Sequence, residues 1–153
     1  MSARDYVKVP AMETLRYIHL KPGDTPLKLD KPGYFKAIIV VEDDVTSEWR
    51  AEVSDWLVRS GCRYMMAWGK ACAAWDDSVD WASLNASNFG EAPDEDFVMT
   101  TWHENVPLKD VFWFSDRSAM HPTLELPVTY IVQVSLRRKE GELLDAFRQA
   151  ILE

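Results

Sequence analysis

The sequence predicts a single-domain α/β protein with three layers, in which helices cover both faces of a mostly parallel, four-stranded sheet. From residue 36 onwards, short apolar runs rich in Val, Ile and aromatic residues alternate with amphipathic segments. This β-α-β-α-β-α-β-α order is typical of a parallel sheet with right-handed crossovers. The 153 residues also fit one domain of ordinary size that buries its own core.

Residues 1–35 are predicted to form an N-terminal arm that packs on the α/β domain of residues 36–153. Prolines recur along the arm, and proline cannot donate a backbone hydrogen bond to a strand ladder. The short apolar stretches Thr14–Leu20 and Leu27–Leu29 are therefore expected to act as edge strands or as extended cover. The arm is a candidate for an additional, antiparallel edge strand.

The central strand is predicted at Ala37–Val41. Its residues are continuously apolar and mostly β-branched, as expected for a strand that is buried on both faces. The other strands of the predicted sheet are Arg63–Trp68, Phe97–Trp102 and Val128–Val134.

The first helix is predicted at Thr46–Ser60. Thr46 or Ser47 can cap its N-terminus, Glu48 suits its first turn, and Gly61 is a natural stop. Three further helices are predicted at about 70–86, 107–119 and 140–152. The start of the second helix is open. The run Ala71–Trp75 could begin the helix, or it could be a loop before a helix that starts near Asp76, since Asp76 and Asp77 suit a first turn.

Polar residues follow each predicted strand, and open α/β sheets bind ligands at the carboxyl ends of their strands. Carboxylates and a histidine together could ligate a divalent cation, and a histidine beside a carboxylate suits a general base. Capping and solvation are the more frequent duties of such residues. The candidates for ligand, metal or catalytic roles are Glu42, Asp43, Asp44, Lys70, His103, Glu104 and Arg137.

The stretch Lys36–Asp44, which ends in Ile-Ile-Val-Val-Glu-Asp-Asp, resembles the opening strand of response-regulator receiver domains. In that family a paired acid after the first strand holds a magnesium ion, and an Asp after the third strand accepts a phosphoryl group. Here the third strand runs into His103 and Glu104, with no Asp at that place. The resemblance covers nine residues, and phosphotransfer is not expected.

Three longer phrases resemble small bacterial proteins of unknown function. They are Ser-Asp-Trp-Leu-Val-Arg-Ser-Gly-Cys62, Tyr-Met-Met-Ala-Trp-Gly69 and Val-Met-Thr-Thr-Trp-His-Glu104. This resemblance covers most of residues 36–135. It implies one intact domain and brings no known activity.

The remaining motifs of common enzymes are missing from the sequence. It holds no glycine-rich phosphate loop and no Gly-x-Ser-x-Gly elbow. Cys62 and Cys72 form no Cys-x-x-Cys pair and are expected to stay reduced, as in a cytoplasmic protein. No signal peptide and no run of membrane-spanning length is recognisable.

The formal net charge of −8 argues against binding to nucleic acid or to anionic membranes, and it suits a basic protein partner. Four aromatic residues are candidate contacts for such a partner: Trp75 and Trp81 lie among acids, and Trp113 and Phe114 lie off the predicted buried face of the third helix.

The sequence thus predicts a cytoplasmic, non-enzymatic module that binds a protein, for example an immunity protein that neutralises a basic toxin. Two alternatives stay open. One is a metal-dependent or small-ligand domain that uses the strand-end residues. The other is a homodimer that associates through the helix of Trp113. No cofactor is expected, apart from the divalent metal of the first alternative.

Overall fold

The computed structural model describes residues 15–29, 33–90 and 93–153. Its strands are β1 (Leu15–Leu20), β2 (Phe35–Val41), β3 (Cys62–Gly69), β4 (Met99–His103) and β5 (Val128–Val134). They form one sheet in the order β1-β5-β2-β3-β4, and every neighbouring pair is parallel. The predicted α/β class and parallel sheet are therefore confirmed.

Within the described residues, four helices and one short 3-10 turn at Asp94–Asp96 connect or follow the strands. The helices are α1 (Ser47–Ser60), α2 (Cys72–Ala86), α3 (Leu108–Arg117) and α4 (Glu140–Ile151). One apolar core joins the sheet to α1 and α2, and a second core joins its other face to α3 and α4. The three layers are thus as predicted. Within the described ranges, no helix has the length and apolar character needed to cross a membrane.

The central strand β2 is buried on both faces. Ala37, Ile39 and Val41 belong to the core under α1 and α2, whereas Ile38 and Val40 belong to the core under α3 and α4. Both edges of β2 are paired as well, with β3 and with β5. This position explains why its sequence is a continuous apolar run rather than an alternating one.

The N-terminal arm adds the edge strand β1 to the four predicted strands, as the sequence allowed. It corrects one prediction, because β1 runs parallel to β5 and not antiparallel. The parallel pairing is feasible because residues 21–34, which connect β1 to β2, are long enough for a crossover.

The described part of that crossover is extended cover, as predicted for Leu27–Leu29. The indole Nε1 of Trp49 donates to the carbonyl oxygen of Asp24 at 2.8 Å, and that of Trp56 donates to Leu27 at 3.0 Å. Two tryptophans of α1 therefore hold the crossover against the helix layer. The rest of the predicted arm, residues 1–14 and 30–32, lies outside the described residues.

The ends of α1 follow the predicted capping chemistry. The hydroxyl oxygen of Thr46 accepts a hydrogen bond from the backbone nitrogen of Trp49 at 3.1 Å, and Gly61 ends the helix at a φ of 114°. The start of α2 is now resolved at Cys72, between the two positions that the sequence left open.

Gly69 ends β3 in a conformation that only glycine adopts easily. Its φ is 99°, and a Cβ atom at this position would lie 2.1 Å from the carbonyl oxygen of Val41. The carboxyl ends of β2 and β3 therefore approach each other too closely for any side chain.

We expect Gly69→Ala to lower the free energy of unfolding by about 2 kcal/mol or more, because it adds backbone strain to a collision. Gly141→Ala in α4 is the matched control, since a Cβ atom there meets no atom within 4 Å. The control should be neutral or stabilising, as alanine favours a helix. Urea unfolding measures both, and equal stability of the two variants would contradict the close approach.

Candidate functional site

The topology places one crevice where α/β sheets commonly bind ligands. From β2 the chain winds through β3 to the edge strand β4, and it then returns to the opposite side of β2 as β5. The winding direction therefore reverses between β2 and β5, and the carboxyl ends of these two strands form the topological switch point.

A buried amide, Gln133 of β5, occupies this switch point. Its Nε2 donates to Glu42 Oε1 at 2.8 Å and to the carbonyl oxygen of Arg137 at 2.9 Å. Its Oε1 accepts from the backbone nitrogen of Lys139 at 3.0 Å and from the Tyr17 hydroxyl. We call Tyr17, Glu42, Gln133 and Lys139 the strand-end network. It satisfies the whole amide and joins β1, β2 and the start of α4.

The three acids after β2 already have partners. Glu42 Oε2 lies 3.1 Å from the Lys139 ammonium, and both side chains are about one-third exposed. Asp43 Oδ2 accepts from the backbone nitrogen of Leu136 at 2.8 Å, and the exposed Asp44 lies 4.0 Å from Lys70. Glu42 and Asp43 thus fasten the β2 end to the segment after β5, which is a structural duty.

The basic residues after β5 also act on the chain itself. The carbonyl oxygen of Arg137 accepts from Gln133 and from the Ser135 hydroxyl, the latter at 2.6 Å. The guanidinium of Arg138 lies over the Tyr17 ring at 5.0 Å, and it contacts Glu140 at 2.6 Å. The predicted anion-binding candidate Arg137 therefore contributes its backbone here, and its side chain is exposed.

His103 lies apart from the acids of β2. It ends β4, and β3 stands between β4 and β2, so about 10 Å separates the strand axes. A 2.8 Å hydrogen bond joins its Nε2 to the Thr101 hydroxyl, its ring packs on Phe114, and burial lowers its pKa. Glu104 is exposed in the following turn. The sheet does not bring the predicted His-Glu pair to the Glu-Asp-Asp cluster.

One histidine that the sequence did not single out is fully engaged. The Nε2 of His121 donates to the carbonyl oxygen of Phe97 at 2.7 Å. Its Nδ1 accepts from the backbone nitrogens of Thr123 and Leu124 at 3.2 and 3.1 Å. His121 therefore organises the turn after α3, and this role depends on a distant contact that no local pattern reveals.

The four predicted partner-surface aromatics differ in how far they are exposed. Trp81 is 60% exposed, and its ring meets that of Phe89, itself 59% exposed, at a centroid distance of 6.1 Å. Trp113 is exposed on the opposite side of the molecule, with the Arg117 guanidinium 5.1 Å above its ring. Phe114 is half-buried against Tyr64 and His103.

The prediction that Trp75 contacts a partner is wrong. Trp75 is fully buried and packs edge-on against Trp49. The reason is that residues 72–86 are helical, and the spacing of Cys72, Trp75 and Val79 puts all three on the helix face that packs against the core. Both cysteines are buried, and burial raises the pKa of Cys62 to about 12.

The exposed aromatic pair, Trp81 in α2 and Phe89 just after it, belongs to a larger surface that also includes β4. Trp102 is 51% exposed on this edge strand, next to Thr100, whose hydroxyl donates to Asp80 at 2.8 Å. We call Asp77, Asp80, Trp81, Phe89 and Trp102 the acidic–aromatic edge. Phe89 adopts a φ of 60°, which is rare for a bulky residue, so the backbone holds this ring outward at a cost in strain.

The charge of the chain is concentrated in the same part of the molecule. Residues 71–108, which include α2 and β4, contain eight acidic residues and no Lys or Arg. The other 115 residues carry seventeen acids and seventeen Lys or Arg, so they are formally neutral. The formal charge of −8 therefore resides in one continuous segment at one edge of the sheet.

A family profile described as "Domain of unknown function (DUF7684)" matches residues 15–150. The chain belongs to this family. The predicted resemblance to a small family of unknown function is thereby confirmed, and the match includes β1, so the family domain takes in part of the predicted arm. No curated protein and no solved structure matches the chain. The function of this DUF7684 member therefore has to be inferred from its surface chemistry.

The strand-end network predicts a stability effect at Gln133. We expect Gln133→Leu to lower the free energy of unfolding by about 3 kcal/mol, because it leaves several buried or half-buried polar groups without their partner. The same substitution at the exposed Gln149 of α4 is the control and should change stability little. Chemical denaturation measures both, and a neutral Gln133→Leu variant would show that the network is dispensable.

The buried carboxyl group of Asp76 should make the stability of the fold depend on pH. Burial raises its pKa above the usual 3.8, a hydrogen bond from the Thr100 side chain offsets part of this rise, and the nearby Asp80 and Asp77 raise the pKa further. Between 3.8 and the raised value the folded state binds more protons than the unfolded state, so stability falls as the pH rises through this window and stays lower above it.

Asp76→Asn removes the buried charge and should therefore raise the Tm at pH 7. The measurement is made in EDTA, so that no metal ion compensates the wild-type carboxylate. This gain should shrink below pH 4, where the wild-type carboxyl is protonated in both states. Asp145→Asn, on the exposed face of α4, is the matched control. Differential scanning calorimetry at pH 3 and pH 7 makes the comparison, and a destabilised Asp76→Asn variant at pH 7 would contradict it.

Proposed function

We propose that this DUF7684 member is a protein-binding module that engages a basic partner through the acidic–aromatic edge. The observation that supports this function is the coincidence of two features. The exposed Trp81–Phe89 pair stands in the segment that carries the net charge of the chain.

The two features suit different parts of one binding event. Exposed aromatic rings supply large apolar contact area at low entropy cost, and tryptophan is enriched among the residues that dominate binding energy. The surrounding acids attract a basic surface from a distance and orient it as it approaches. Because the residues outside 71–108 are formally neutral, a basic protein is attracted mainly to the acidic–aromatic edge.

The opposite face supports this role less well. Trp113 is exposed, but its neighbours on α3 are of both signs, and Arg117 covers one side of its ring. Charge complementarity therefore favours the acidic–aromatic edge over the α3 surface for a basic partner. A homodimer through α3 remains a separate prediction.

The strand-end residues give an enzymatic or metal-dependent role less support than the acidic–aromatic edge gives to partner binding. Glu42 and Asp43 bond the chain to itself, and His103 lies two strands away from them. An immunity protein that masks a basic toxin is one type of protein in the proposed class, since such a protein acts by covering its partner.

The test compares edge variants with matched controls on the opposite side. The wild-type protein, Trp81→Ala and Asp77→Lys are immobilised and exposed to lysate of the source organism, with Trp113→Ala and Asp145→Lys as controls. We expect a basic partner to be retained by the wild type and both controls, and to be lost from both edge variants. All four substituted residues are exposed, so circular dichroism should report an unchanged fold.

Calorimetry with the purified partner then gives the magnitude. Trp81→Ala should weaken binding by about 2 kcal/mol, which is roughly thirtyfold, and raising the salt from low to high concentration should weaken binding to the wild type. A partner that binds all five proteins equally, a partner of acidic charge, or no specific partner would each overturn the proposal.

A further inference from the structure

Three carboxylates on α2 converge on one point. Asp76, Asp77 and Asp80 each offer a carboxylate oxygen, and these three oxygens lie within 4.8 Å of one another. Asp76 and Asp80 are four residues apart, which places them on the same helix face one turn from each other. Among the described residues, this is the one group of three or more acidic, His or Cys side chains with such spacing.

The Asp76 carboxylate is an independent indication that the group has a ligand. The residue is only 5% exposed, and its Oδ1 is buried with no hydrogen-bond partner in the described part of the chain. A buried carboxylate is costly unless it is paired, hydrogen-bonded or bound to a metal. Its side chain is directed to the group, since one of its oxygens lies within 4.8 Å of those of Asp77 and Asp80.

Within the described structure, no cationic side chain lies within ion-pair distance of these acids. The ion pairs formed by residues 15–29, 33–90 and 93–153 involve none of the three. The segment 71–108 has no Lys or Arg to offer from nearby in sequence. Three carboxylates held within 4.8 Å of one another repel, so the group is unfavourable without a cation.

The donor atoms define the chemical class of the cation. The group contains only carboxylate oxygens, and the Thr100 hydroxyl holds Asp80 in place through a 2.8 Å hydrogen bond. Hard divalent cations such as Mg²⁺, Ca²⁺ and Mn²⁺ prefer oxygen ligands, whereas zinc favours nitrogen and sulfur. Asp77 and Asp80 are exposed, so water can complete the coordination on the outer side.

We infer that α2 carries a binding site for a hard divalent cation, formed by the carboxylates of Asp76, Asp77 and Asp80. The site is distinct from the strand-end residues that the sequence suggested for a metal. It goes beyond the proposed partner binding and does not depend on it, because the cation is bound by side chains of one helix.

The test uses the metal alone. Isothermal titration calorimetry is carried out with MgCl2, CaCl2 and MnCl2 on protein stripped with EDTA, and thermal unfolding is followed with and without each metal. We expect saturable binding of one cation per chain and a Tm that rises with metal concentration, because the cation binds the folded state.

Variants separate this site from the general attraction of an acidic surface for cations. Asp76→Asn and Asp80→Asn should each weaken the affinity at least tenfold and remove the metal-dependent rise in Tm, while Asp145→Asn and Asp94→Asn should leave both unchanged. Asp80 is exposed, so Asp80→Asn keeps the test valid if Asp76→Asn does not fold.

No saturable binding at millimolar metal, or equal affinity in Asp80→Asn and Asp94→Asn, would overturn the inference. The outcome is separable from that of partner binding. Trp81→Ala should retain full metal affinity even though it is expected to lose the partner.

Discussion

The pairing of β2 with β5 is the interaction on which the rest of the structure depends. Seven residues of β2 align with seven of β5, and both strands are largely buried. Since β2 is apolar on both faces, a helix layer has to cover each side of the sheet. A slip of one residue in this register would move Gln133 from its polar partners into the opposite core, so the buried amide helps to define the register.

The two groups of acids in the molecule differ in how their charge is balanced. Glu42 at the end of β2 faces Lys139, and Asp43 accepts a backbone hydrogen bond. The acids of α2 have no such counterpart in the described chain, although one of them is buried. The carboxyl ends of β2 and β5 therefore serve the integrity of the fold, and the α2–β4 edge is where unbalanced charge and exposed aromatic rings are available to other molecules.

Local sequence patterns were sufficient for most of the architecture. The apolar run of β2, the Thr46 cap and the Gly61 stop are each determined by neighbouring residues, and the alternation of strands and helices follows from them. The direction of β1 was not predictable in this way, because it depends on a pairing with β5, more than 100 residues away. The burial of Trp75 was not predictable while residues 71–75 could be helix or loop, since only a helical segment puts Trp75 on the same face as Cys72 and Val79.

The candidate sites were harder to predict than the fold for the same reason. Strand ends were recognisable as polar, but which ends become neighbours depends on strand order, and β3 separates His103 from Glu42. Gln133 was not singled out in sequence, because a polar residue within a strand does not by itself reveal its distant partners. The helical spacing of Asp76 and Asp80 was readable, whereas the burial of Asp76 depends on how α2 packs against the sheet.

The uneven distribution of charge has a consequence for how these molecules meet one another. A formal charge of −8 suggests a protein that repels its own copies from every direction, yet the formally neutral residues outside 71–108 can approach each other with little electrostatic resistance. Repulsion acts mainly when two copies come together edge to edge, where it protects the open side of β4 from pairing with another strand. In colloidal terms the molecule is a dipolar particle, and its solubility depends on one side of its surface rather than on its total charge.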